Sequence, residues 1–351
     1  VPILSPGCRT EAGRSGRWIR TGLSGRGGAA TLAVLSLADP DALMHRRHFL
    51  GSAALAATAL MLPLGEGGQA LAAPSRRLSR VLPRPLNPGD TVALVSPSKA
   101  TDDPFDLQLV SEAMQALGLK VKLAPHVDAR RGHLAGTDAQ RAGDINAMFA
   151  DPQVKGIICV RGGSGAARVL PLLDYGLIRR NPKVLLGYSD ITALLNAVLA
   201  QAGLVGFHGP IGAGSWISFN ADQFRRMFFQ RELMQYRNLA ETGDELVQRR
   251  NRTVTITGGT ARGELVGGNL TVLTALAGTP YLPDFKDRIL FLEDVSEAPY
   301  RIDRMFSTLK LGGVLDQIAG LIFGECTDCT PGEGYGWLTL PQIFDDYIQP
   351  L

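Results

Sequence analysis

Lys183-Val-Leu-Leu-Gly-Tyr-Ser-Asp-Ile-Thr-Ala-Leu-Leu-Asn-Ala-Val-Leu199 is the stretch on which the fold turns. It opens with a short apolar run, Lys183 to Leu186, and closes with Ile191, Leu194, Leu195, Val198 and Leu199 at helical spacing. Between them stands Gly187-Tyr188-Ser189. Strand, Gly-x-Ser, helix is the geometry of a nucleophile elbow, in which a sharp turn lifts the serine oxygen above a sheet and the next N–H faces an oxyanion. Ile191 occupies the place where the usual hydrolase pattern has a second glycine, so that pattern is half met. Ser189 or Asp190 could equally be a plain helix N-cap, since both residue types favour that position. The local residues leave both readings open.

Toward the N-terminus the same alternation repeats. Thr91-Val-Ala-Leu-Val-Ser96 reads as a strand, residues 104–118 as a helix, Val121 to Ala124 as a strand and Asp138 to Met148 as a helix. Val154 to Val160 is a third strand, and Leu170 to Ile178 adds a helix. Such alternation predicts an α/β fold with a largely parallel sheet and flanking helices, its ligands gathering at the carboxyl ends of the strands. One such end carries Arg161-Gly-Gly-Ser-Gly165, whose glycines let bare N–H groups approach an anion. A phosphate loop or a compact turn would look the same. The run matches neither the dinucleotide fingerprint nor the Walker pattern, so a nucleotide-binding protein is a weak alternative.

Bulk properties bound the class. The chain has 351 residues, room for two ordinary domains, and a formal net charge of +3 from 36 Lys and Arg against 33 Asp and Glu. Much of its arginine lies in the first 80 residues, so no basic footprint for nucleic acid remains in the body. From Met44 the sequence reads Arg46-Arg47-His48-Phe49-Leu50, then an apolar stretch to Leu64 and Gln69-Ala70-Leu71-Ala72. A charged start, a short apolar core and a small-x-small end are the parts of a secretory signal, with the paired arginines of the twin-arginine route. The apolar stretch is shorter than the roughly 20 residues of a bilayer span and contains Pro63, so no stable span is expected after cleavage. Residues 1–43 are expected to be a disordered leader or an over-extended gene start. Residues 44–72 read as the signal, 73–87 as a linker, 88–213 as the N-terminal α/β domain, 214–252 as a connecting helix and linker, and 253–351 as a C-terminal domain. The expected location is periplasmic or otherwise exported, or cytoplasmic if the signal is unused. Of four cysteines, Cys326-Thr-Asp-Cys329 has the spacing of half a zinc site, a redox pair or a disulfide-bonded turn. No second pair completes a zinc site.

Beyond the elbow, Arg161-Gly-Gly-Ser-Gly165, Gly187-Tyr-Ser-Asp190, Phe207-His-Gly-Pro210, Gly263-Glu-Leu-Val-Gly-Gly-Asn-Leu270, Gly278-Thr-Pro280 and Leu292-Glu-Asp294 follow one another. In this order and spacing the chain, from about Pro88 to Leu351, resembles the L,D-carboxypeptidase family of serine peptidases, which includes microcin-immunity peptidases. The resemblance implies a Rossmann- or flavodoxin-like N-terminal domain and a smaller, β-rich α/β C-terminal domain. It also implies removal of the terminal D-alanine from a murein tetrapeptide through an acyl-enzyme, without metal or cofactor, and a homodimer. Ser189 would be the nucleophile, the N–H groups of Gly163 and Asp190 the oxyanion hole, and Glu293 the acidic triad member at the end of the strand Arg288 to Leu292. On the residues alone, Glu293 could instead pair with Arg301 or Arg304. Arg161, Gly162, His208, Gly268 and Asn269 are the candidate substrate contacts, although His208 could be an ordinary loop histidine and Asn269 a helix cap. The resemblance places the family's histidine in a Gly-His turn just beyond a segment like Tyr347 to Leu351. The expectation is therefore a C-terminal domain cut short and a chain that hydrolyses little as written. The alternative is a noncatalytic muropeptide-binding protein on the same scaffold.

Overall fold

The structure is a computed structural model that describes residues 78–238, 244, 246–248, 251–332 and 336–351. The expected leader and export signal lie outside these residues. No described helix is long and apolar enough to cross a membrane.

Five parallel strands form the first sheet: β1 (Thr91–Val95), β2 (Lys120–Leu123), β3 (Val154–Cys159), β4 (Val184–Gly187) and β5 (Phe207–His208), in the spatial order β2-β1-β3-β4-β5. The central strands β1, β3 and β4 are buried on both faces, which is why their sequences are continuous apolar runs without alternation. Helices α1 (Pro104–Ala116), α2 (Asp138–Ala150), α3 (Tyr175–Arg180) and α4 (Thr192–Ala202) cover the sheet. Their starts follow capping chemistry: Asp103 caps α1 ahead of Pro104, and Thr137 with Gln140 forms a capping box on α2. The strand order changes direction between β1 and β3, so the loops leaving those two strands flank a crevice. The stretch expected as one helix from Leu170 is split: a 3-10 turn over Ala166–Leu172 contains Pro171, and α3 begins only at Tyr175.

Between the two sheets in sequence lies α5 (Ser218–Phe224), continued by a π-helical turn over Arg225–Phe229. A second sheet follows, with parallel strands β6 (Leu265–Asn269), β7 (Ile289–Val295) and β8 (Gly320–Thr327) in sequence order. Helices α6 (Leu270–Thr274), α7 (Pro299–Leu311) and α8 (Leu340–Tyr347) accompany it. Leu290, Leu292, Ile302, Phe306 and Ile343 form its separate core. Both β7 and β8 run further than their apolar stretches suggest, so Glu293 lies inside a strand rather than at its end. Cys326 and Cys329 are joined by a disulfide at the end of β8.

The sheets meet at α4. Thr192 Oγ1, at the first residue of that helix, accepts a hydrogen bond from Asn269 N at 3.0 Å, and Asn196 Nδ2 donates to Gly267 O at 2.9 Å. Gly267 and Gly268 have positive φ, and a Cβ on Gly267 would sit 1.9 Å from Phe291 O. Only glycine lets β6 lie this close to β7.

Candidate active site

After Gly187 ends β4, Tyr188 is extended and Ser189 enters the left-handed region at φ 61°. A serine there costs about 1 kcal/mol or more and persists only where the surroundings over-determine it. Asp190 supplies the restraint. Its buried carboxylate accepts from Ser98 Oγ in the loop after β1 and from Ala166 N, at 2.8 Å, after the glycine-rich loop of β3. One side chain thus ties the ends of β1, β3 and β4. The N-cap alternative falls, because neither Ser189 nor Asp190 caps α4 with its side chain. The turn has the elbow geometry without the second glycine.

The glycine-rich loop is shaped around that turn. A Cβ on Gly162 would lie 3.0 Å from Ser189 Cβ and 3.1 Å from its Oγ, so a side chain there would cover the hydroxyl. Gly163, at φ 119°, passes so near Lys99 that a Cβ would come within 2.5 Å of the lysine Cβ. Its N–H has no hydrogen-bond partner among the described residues. An unpaired N–H and a half-buried hydroxyl that line one cleft are the parts that can hold a developing oxyanion.

Across the cleft stands β7. Glu293 and Asp294 point to opposite faces of the strand and meet opposite environments. Asp294 is saturated, accepting from Asn269 Nδ2, Thr271 N and Thr271 Oγ1 at the start of α6. Asn269 caps the same helix through Val272 N. Glu293 is buried with Oε1 unpartnered, and burial, reinforced by neighbouring Asp294, pushes its carboxyl up to about 7. His208 Nε2 lies 3.7 Å from Glu293 Oε1, yet both ring nitrogens lack hydrogen bonds, and burial pushes the imidazole down to about 4. An ion pair would move the two groups the other way; here both are driven toward their neutral forms. Arg301 pairs with Glu297 and Arg304 lies over the Tyr300 ring, so the structural pairing considered for Glu293 is not formed.

The cleft between elbow and β7 encloses about 300 Å³ and is lined by Gly162, Gly163, Ser189, Asn269, Glu293 and Asp294, among others. Arg161 also lines it, but its guanidinium is committed to Asp102 at 3.0 Å and Asp106 at 3.1 Å. Two candidate contacts, His208 and Gly268, are not among the residues that line the cleft. His208 is not in the cleft wall but behind it, edge-on to Phe291 at 5.4 Å between ring centres. Gly268 is also behind the wall, where a Cβ would clash with Thr192 and approach His208 Nδ1 at 3.2 Å. Its role is to let β6 pass. Lys99, Tyr188, Glu325 and Thr327 line the cleft without having been singled out in the sequence. Lys99 and Tyr188 follow the ends of β1 and β4, where an α/β sheet collects its ligands, and that rule could have found them. Among the described residues no cluster of three or more His, Cys, Asp or Glu is placed to hold a metal ion.

Residues 92–209 match the LD-carboxypeptidase N-terminal domain, and residues 262–351 the LD-carboxypeptidase C-terminal domain. The chain belongs to the LD-carboxypeptidase family. It is 39% identical over 271 residues to a Bacillus subtilis protein described as a "probable murein peptide carboxypeptidase", covering 76% of this chain and 81% of that one. It is 34% identical over 264 residues to the murein tetrapeptide carboxypeptidase of Pseudomonas aeruginosa, covering 73% and 82%. Among solved structures, MccF in complex with glutamyl sulfamoyl guanosine superposes with a TM-score of 0.65 at 26% identity, over 76% of this chain and 86% of that one. The family is one of peptidases, and the α/β fold with its two parallel sheets is that of the MccF structures.

Proposed function

We propose that this chain is an exported serine-type L,D-carboxypeptidase that removes the terminal D-alanine of murein tetrapeptides through an acyl-enzyme. The observation that carries the reading is the left-handed Ser189, held by Asp190 and left uncovered by Gly162. Ser189 Oγ attacks the carbonyl carbon between the L-centre and D-alanine, and the N–H groups of Gly163 and Asp190 receive the carbonyl oxygen as it becomes an oxyanion. D-alanine departs as the amine, and water hydrolyses the ester. Glu293 is the carboxylate that orients an imidazole and stabilises its protonated form. Asn269, Gly162 and Arg161 contact the peptide.

A hydroxyl without a base is a weak nucleophile at neutral pH. Neither nitrogen of His208 is hydrogen-bonded, so among the described residues this imidazole is not engaged with the Ser189 hydroxyl. The same observation favours a second reading, a noncatalytic muropeptide-binding protein. Free imidazole added to the full chain separates the two. D-alanine release from a tetrapeptide should rise with imidazole in the wild type and stay at background in Ser189→Ala. Peptide bound tightly but released unchanged at every imidazole concentration would favour the binding protein. Release that rises equally in Ser189→Ala would remove Ser189 from the chemistry.

A further inference from the structure

Between β7 and β8 the register shifts: Leu292 pairs with Phe323, but Asp294 pairs with Cys326. One residue of β7, Glu293, therefore faces two of β8, Gly324 and Glu325. This is a β-bulge, a device that redirects a side chain beside a site. Phe323 and Cys326 both pack toward the core under α7 and α8, while Gly324 and Glu325 both line the cleft. Gly324 leaves room for Glu293, since its Cβ would already touch Glu293 Cβ at 3.4 Å. Glu325 is the side chain that the bulge delivers into the cleft wall.

The charges of that wall are otherwise spent. Arg161 is bound by Asp102 and Asp106, and Lys99 by Asp102 at 3.0 Å. Asp294 is filled by the start of α6. Glu293 is buried, with its carboxyl raised toward neutrality. Among the described residues Glu325 makes no ion pair or side-chain hydrogen bond, and it is exposed to the cleft. A ligand entering here meets one uncompensated negative group.

We propose that Glu325 is a specificity residue that selects peptides bearing an ammonium group on the side chain next to the scissile bond. This rests on the carboxypeptidase reading of the cleft. The ammonium lies against the Glu325 carboxylate at the mouth, while the peptide carbonyl reaches Ser189 across the cleft. A neutral side chain gains nothing there, and an acidic one is repelled.

The test measures binding of fluorescent peptides to the full chain by anisotropy. They end in L-lysine, L-norleucine or L-glutamate followed by D-alanine. The lysine peptide should bind on the order of fivefold tighter than the norleucine peptide, with the glutamate peptide weakest, and the preference should shrink with added salt. Glu325→Gln should bring the lysine affinity down to that of norleucine and leave norleucine unchanged. Glu325→Lys should invert the order, and matching far-ultraviolet circular dichroism should show both variants folded. A wild type that ignores the side chain, or a lysine preference that survives Glu325→Gln, overturns the proposal while leaving the carboxypeptidase reading intact. If none of the peptides binds, the carboxypeptidase reading falls and takes this inference with it.

Discussion

At the end of β4, the buried carboxylate beside Ser189 takes two donors and fixes three strand ends. Within β7, the carboxyl of Glu293 and, packed against it, the imidazole of His208 sit buried and 3.7 Å apart with no hydrogen bond between them. The first region is polar and satisfied, and its strain is confined to the φ of Ser189. The second holds unsatisfied groups whose charged forms the fold opposes. Buried polar groups with partners hold a structure in place, whereas those without partners cost stability and persist where function needs them. The hydroxyl half of this cleft is therefore set by its own sheet, and the carboxyl half stays chemically open.

That contrast can be broken by substitution. The largest effect is expected at Asp190. Asp190→Ala orphans Ser98 Oγ and Ala166 N and should cost about 3 kcal/mol in urea denaturation. A loss well under 1 kcal/mol would show that the elbow is held by something else. Glu293→Gln should act in the opposite direction. Because the folded carboxyl titrates near 7 rather than 4.5, its contribution to stability is fully present below about pH 4.5 and is lost as pH rises through 7. The variant should therefore exceed the wild type by about 2 kcal/mol at pH 8 and match it near pH 4.5. A difference that does not change with pH would mean that Glu293 is comfortably ionised in the fold.

The smallest effect belongs to His208. Its folded value of about 4 lies below the ordinary 6.5, so its contribution is fully present above pH 6.5 and is lost as pH falls toward 4. His208→Phe should be nearly neutral at pH 8 and stabilising by about 1 kcal/mol at pH 5, read as a shift in melting temperature. Destabilisation at pH 5 would show that the imidazole has a partner worth keeping.

The elbow half was the legible half. Lys183 to Leu199 carries its strand, turn and helix in consecutive residues, and local periodicity is what a sequence displays. The glycine-rich loop was visible for the same reason, although nothing in it revealed that Gly162 clears the Ser189 hydroxyl. The carboxyl half was read through motif order and only partly. Periodicity stopped β7 at Leu292, because Glu293 and Asp294 are polar residues inside a strand. The bulge that brings Glu325 round depends on the register between strands far apart in sequence, and no single stretch encodes it. His208 lay in a quoted motif, but its place behind Glu293 is a tertiary fact.

The hydrogen bond from Asn269 N to Thr192 Oγ1 makes α4 a shared datum for two parts machined separately. Thr192 follows Ser189 by three residues, and Asn269 is the register partner of Glu293. The tolerance chain from hydroxyl to carboxyl is therefore a few rigid links long, although the residues are a hundred positions apart in sequence. Positional error between the two sheets accumulates over that short chain and not over the loops that join them. A catalytic constellation needs its parts held to about 0.5 Å.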